Sequence, residues 1–512
     1  MKGGYTVDFN KRIGAIFLFF VMLFVQSFQV ATGKRDKVDV TFPTVSSETT
    51  AKFDGRYLTT KPSTSVNTTT EPPTEEGYIP AGSDEDVWSV VFGGTGSDIV
   101  RSSYYCDNAD FLVCGNSSSK DNAFNGCYGY GWADTYAFVA RYSSNGTRRW
   151  INSIGGNNIT VAYDTAELSD GSVVCVGYTL ATNLIEYAPV SDNSIDAFIY
   201  RYSSTGEVLN KYIAEGSGYD YFYSVSPTSD GGYVVGGSST SPDGIFNMNS
   251  AGAVIIKFDS NNNFLSSVNL CGTSGGTVFD VCADSNSNIF AACVSVSSDG
   301  DFAQFSGMGA GSNDSVILKY SSDLSSLKWA CVIASSGNDR FERLCSDGDG
   351  GCVAAGYYMT KNNTGVTDGF FENCAAYGKE DGYAVKINSS GIVTARRSFG
   401  GSESDFVSGV FKAGNKYVFS GYSKSRDYSF ATLGNIGGYD SFVTVVDSSA
   451  FSGSPTAFHP VAGTDADCIY TVCGSANEII AAGTTSSTDE YFWTTNPVNQ
   501  YENSGFAVKY TV

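Results

Sequence analysis

The chain has one histidine, His459, among 512 residues. That count excludes histidine metal clusters and any site built on repeated imidazole acid–base chemistry. Positive charge is also scarce: 31 Lys and Arg stand against 53 Asp and Glu, a net charge of -22 with a pI near 4.4. Nucleic acid and anionic membrane surfaces are recognised by basic patches, so neither is an expected partner. Proline is held to 11 residues, whereas glycine reaches 58 and aromatics 14%. A disordered chain would lack the aromatics. Many short strands joined by tight turns account for the composition. Carboxylates, tyrosine and arginine are what remains for chemistry.

Lys11 and Arg12 precede an apolar run, Ile13 to Val25, whose length suits a signal peptide. Gln29 stands where a small residue before Ala31 would mark cleavage. Read through to Ala31, the run reaches about 28 Å as a helix, enough for an uncleaved anchor. Signal peptide and signal anchor both stay open for residues 1–33. Either places the rest of the chain outside the cytoplasm, secreted or tethered to the cell surface. Residues 34–85 turn Thr-, Ser- and Pro-rich (TTKPSTSVNTTTEPPTEE) and cannot bury a core, so they read as a disordered linker. Membrane contact is expected only through an uncleaved N-terminal segment.

From residue 86 onward the chain repeats itself with a period of about sixty residues. WSVVFGGTGSDIV from Trp88 returns as WINSIGGNNITV from Trp150 and WACVIASSGNDRF from Trp329, with weaker copies from Asn210, Asn269, Arg396 and Phe458. Each is followed by a turn and strand such as SDGGYVVGG, a variable stretch, and a strand such as DAFIYRY, DSVILKY or SGFAVKY. Seven copies of four short strands predict an all-β fold, a seven-bladed β-propeller over residues 86–512. The last copy stops after its third strand. The orphan strand near 86–94 is expected to complete that blade and close the ring, removing exposed sheet edges.

The pattern GG-x-x-x-D, S-D-G-G-x-V-V-x-G, D-x-Y-V-V-K-Y resembles the bacterial exported seven-bladed β-propeller (SBBP-type) repeat proteins. The resemblance covers residue 86 to the end and implies fold and export, but no one activity. Thr160 and Gly276 depart from it where Asp is expected.

The connections between second and third strands are long and unlike each other, roughly 118–133, 180–195, 240–251, 297–313, 358–380, 423–439 and 485–503. They fall on one face of a propeller, as binding loops over a uniform scaffold do. An aromatic recurs in every loop (Phe124, Tyr187, Phe246, Phe302, Phe371, Phe430, Phe492) and is expected to serve packing. The non-recurring Tyr128, Tyr130, Trp132, Tyr377, Trp493 and Tyr501 are the candidate binding residues, as platforms for a glycan or a protein.

Asp98, Asp220, Asp339, Asp405 and Asp467 recur at the mouth of the innermost strand, where a ring of carboxylates would hold a cation such as Ca²⁺. The favoured alternative is that each caps its own turn. No other cofactor is called for. Arg101, Arg340 and Arg343, with Glu167, Asp280 and Glu342, lie in or beside innermost strands and keep a carbohydrate-active enzyme open as a third reading, after a ligand-binding or adhesive module and a purely structural surface protein. No catalytic residue is assigned. Cys106 with Cys114, Cys282 with Cys293, and Cys345 with Cys352 could face one another across hairpins, yet small buried filler explains the 13 cysteines more economically. A monomer is expected.

Overall fold

The computed structural model describes residues 88–127, 135–184, 194–214, 216–359, 369–371, 378–433, 437–488 and 503–512. They form seven four-stranded antiparallel sheets, a seven-bladed β-propeller. Blades 1 to 6 occupy residues 98–154, 160–214, 220–271, 277–333, 338–399 and 405–461 in consecutive strand order. Blade 7 takes its three inner strands from residues 467–511 and its outermost strand, Trp88–Phe92, from the other end of the described chain. Trp88 pairs with Lys509 and Phe92 with Gly505, the closure that the phase of the repeats predicts.

Within each blade the second and third strands are wholly or almost wholly buried, as in Phe111–Ser117 and Ile289–Ser295, which explains their continuous apolar runs. The cores lie between blades. Trp88, Val90 and Phe92 of blade 7 pack with Phe111, Phe138 and Tyr142 of blade 1, Phe92 stacking on Tyr142 at 5.6 Å. The recurrent loop aromatics Phe124, Phe246, Phe302, Phe371 and Phe430 are buried in these cores as packing residues. Tyr187 and Phe492 lie outside the described residues.

Two repeated devices bracket neighbouring blades. Trp88, Trp150 and Trp329 donate their indole N–H to the carbonyls of Ser144, Ser204 and Ser389 in the next blade. The base near the end of the third strand pairs with an acid of its own blade, as in Lys257–Asp230 (2.5 Å) and Lys509–Glu478 (2.7 Å). The same two ammonium groups then reach Ser322 O and Ser144 O of the next blade.

Every innermost strand carries a β-bulge at the same place, with Arg101, Tyr163, Tyr223, Phe279, Glu342, Ser408 and Tyr470 as the extra residues. Opposite the bulge, six blades have glycine. At Gly115 an added Cβ would sit 1.9 Å from Ile99 O, and at Gly421 1.9 Å from Phe406 O. The last glycine of the S-D-G-G-x-V-V-x-G pattern is therefore the partner a bulged strand requires.

The residue after the bulge starts a hydrogen-bonded belt that crosses all seven interfaces. Ser102 donates to Asp164 (2.5 Å), and Asp164 accepts from the Val225 amide (2.8 Å). Ser224 accepts from the Val281 amide (3.2 Å) and donates to Asp280 (2.7 Å), which accepts from the Leu344 amide (2.7 Å). Arg343 Nε donates to Ser408 O, the Ser408 hydroxyl to Ile469 O, and the Ser103 amide to Thr471 Oγ1.

All twelve described cysteines are free thiols. The register explains why the hairpin pairs do not meet: Cys114 opposes Ser102, Cys282 opposes Phe290, and Cys345 opposes Val353. Among the described residues no helix is long and apolar enough to cross a membrane. Residues 1–33 and the linker 34–85 lie outside them.

Candidate functional site

The innermost strand begins at the end of the blade where the long loops emerge, because its first residue pairs with the last of the second strand, as Asp98 with Ser117. The bulge residue lies midway along this strand, Arg101 being fourth of the eight residues of Asp98–Tyr105. The six loop aromatics singled out from the sequence, Tyr128, Tyr130, Trp132, Tyr377, Trp493 and Tyr501, lie outside the described residues.

The five recurrent carboxylates do not form an open ring around the mouth; all five are fully buried in the blade walls. Asp98 accepts from the Ser117 and Ser119 hydroxyls (2.5 and 2.8 Å) and the Gly94 amide (2.8 Å). Asp220 uses Ser239 and Ser241, Asp405 uses Ser423 and Ser425, and Asp467 uses Thr485 and Ser487 in the same way. Asp339 accepts from the Ser335 amide at 2.5 Å. These are caps within one blade and its incoming turn. Where Asp is missing the partners adapt. Thr160 and Thr179 share a hydroxyl bond of 2.9 Å, and Ser295 and Ser297 turn to Gly275 O. Burial raises the carboxyls of Asp98 and Asp220 to about 6, Asp405 to about 7 and Asp467 to about 8, against the lowering pull of the hydroxyls. Among the described residues no three His, Cys, Asp or Glu side chains converge as a metal site.

The bulge residues, one from each innermost strand, ring the axis. Tyr163 meets Tyr223 edge-on at 4.8 Å, and Tyr223 meets Phe279 at 5.5 Å. Tyr178 and Tyr221 join this side at 5.1 Å from each other. Across the axis, Tyr422 contacts Phe406 (5.1 Å), Tyr439 (5.2 Å) and Tyr470 (5.8 Å). Three cations lie over rings: Arg101 over Tyr163 (4.7 Å), Arg340 over Phe279 (4.8 Å) and Lys424 over Tyr439 (4.2 Å). Arg340 is also ion-paired with Glu342. The result is an aromatic collar, half-buried at Tyr163, Tyr223 and Tyr470, that breaks the sevenfold pattern of the scaffold.

Sequence reasoning found Arg101, Arg340 and Glu342 but missed the tyrosines. The signal was present in the bulge column, which reads R, Y, Y, F, E, S, Y, while the residue just before it is uniformly small or apolar: Val100, Ala162, Phe222, Val278, Phe341, Val407 and Ile469. Of the other residues noted, Asp280 and Arg343 belong to the belt, and Glu167 pairs with Arg141 at 2.8 Å.

No family model and no curated protein matches the chain. Similar solved structures include the Pan2 WD40 domain of Neurospora crassa, at 10% identity and TM-score 0.41, covering 84% of this chain and 97% of that one. The Dos1 propeller gives 10% identity and TM-score 0.41 over 81% of this chain and 94% of that one. Quinohemoprotein alcohol dehydrogenase from Comamonas testosteroni gives 9% and 0.40, over 83% and 76%.

Proposed function

We propose that this propeller is an exported, cell-surface ligand-binding module that takes up a glycan or a protein segment at the mouth of its channel. One observation carries the reading. Seven copies of a uniform scaffold converge on one ring of unlike side chains, beneath the face that bears the long, unlike loops. Residues that differ from copy to copy at one shared position serve something other than the scaffold. Aromatic faces with polar edges suit the C–H faces of sugars and the side chains of peptides. Export rests on the N-terminal apolar run and on the resemblance to the SBBP-type repeat proteins. Binding is favoured over catalysis because Asp164 and Asp280 are engaged in the belt and Glu342 in an ion pair.

A glycan-array screen of the purified full chain tests this. A specific hit that disappears in Tyr223→Ala, in a protein whose melting is unchanged, is the expected result. A silent array would remove the glycan branch. A hit that survives Tyr223→Ala and Tyr470→Ala alike would remove the channel mouth as the site.

A further inference from the structure

The collar is unevenly charged, and this specifies its ligand further. Arg101 is half-buried and uses Nε to donate to Asn116 Oδ1 at 3.0 Å. Its two terminal nitrogens make no hydrogen bond, and no carboxylate lies within ion-pair distance, among the described residues. Every other buried or half-buried arginine there places a terminal nitrogen on a carboxylate or a backbone carbonyl. Lys424, exposed on the same face, has no carboxylate partner either among the described residues.

The two cations flank one arc of the collar. Lys424 lies over Tyr439, Tyr439 touches Tyr422, Tyr422 touches Tyr470, and Tyr470 and Arg101 hold the bulge positions of the neighbouring blades 7 and 1. In a chain with 22 more acids than bases, a half-buried guanidinium without a counter-charge is costly, and Arg101 is one, with the exposed Lys424 adding a second positive charge to the same aromatic floor. An unpaired guanidinium fork over an aromatic ring, as Arg101 over Tyr163, matches a planar or tetrahedral oxyanion carried on an apolar ring.

We propose that the site takes an anionic saccharide, whose acid groups meet Arg101 and Lys424 while its ring C–H faces lie on Tyr422 and Tyr470. This rests on the glycan branch of the binding reading above. Carboxylate and sulfate share the required chemistry.

The test is titration calorimetry on the full chain with oligogalacturonate, its methyl ester, and sulfated and unsulfated dextran fragments. The expected result is that a charged probe binds at least tenfold more tightly than its neutral counterpart, the pair that responds showing which acid group is preferred. A charge-assisted bond is worth tenfold or more, so Arg101→Gln and Lys424→Gln should each erase most of that preference. Lys328→Gln, on the exposed outer strand of blade 4, should not. Neutral and charged forms bound alike, with Arg101→Gln silent, would overturn the charge preference and leave glycan binding standing. No saccharide bound at all would overturn both.

Discussion

Asp467 provides a direct test of how the blade walls are held together. Its carboxyl is fully buried, accepts from Thr485 and Ser487, and faces Asp440 of the preceding blade, whose neighbour Tyr439 accepts the Asp467 amide proton at 2.7 Å. Burial, with Asp440 adding to it, lifts the carboxyl from 3.8 to about 8. In the unfolded chain it ionises near 4. Below that pH both states hold the proton and the shift costs nothing. As pH rises above it, only the folded state keeps the proton, so stability falls until the folded value is passed. At about 1.36 kcal/mol per pH unit, the three units between pH 5 and 8 amount to roughly 4 kcal/mol. Asp98, Asp220 and Asp405 push in the same direction over the lower part of that window. Comparing the native chain with Asp467→Asn in urea unfolding at pH 5 and pH 8.5 isolates Asp467, because the other carboxylates are common to both proteins. The native chain should lose about 4 kcal/mol more than the variant over this interval. An equal loss in both, or a native chain that grows more stable towards pH 8.5, would refute the reasoning.

Two further perturbations read the ring and the bulges. Removing residues 86–94 takes away Trp88, Val90 and Phe92, three buried side chains worth roughly 2 kcal/mol each, and leaves Ser504–Thr511 an unpaired edge. A circular-dichroism melt should show a large drop in midpoint, whereas removal of residues 35–80 should leave it unchanged. Gly421→Ala forces a Cβ to within 1.9 Å of Phe406 O and 2.8 Å of the Phe442 ring, so a loss of about 3 kcal/mol or more in chemical denaturation is expected. Gly171→Ala meets no atom within 4 Å but sits at φ +78°, so it should cost only about 1 kcal/mol.

The ring was legible in the sequence because each of its causes is written seven times. The orphan strand expected near 86–94 is found at Trp88–Phe92, since alternation and turn residues act locally. The recurrent Asp was legible as a cap on its own turn, but the hydroxyls that satisfy it were not. Asp98 lies one residue from Ile99 and three from Arg101, and only the pairing of Asp98 with Ser117 turns its carboxyl into the wall.

The collar was hidden by the bulge. Simple alternation along DIVRSSYY carries one face from Ile99 through Arg101 to Ser103, yet the extra residue at Arg101 shifts the phase, so Ser102 enters the belt towards blade 2 and Ser103 bonds back to blade 7. A one-residue phase change of this kind does not show in a single copy. It shows when seven copies are superposed and one column refuses to repeat. The same comparison that marks Gly115 or Gly421 as indispensable to the scaffold marks Arg101, Tyr163, Tyr223 and Tyr470 as free to vary. Constancy on one side of the bulge and variation on the other divide structure from site within two adjacent strands.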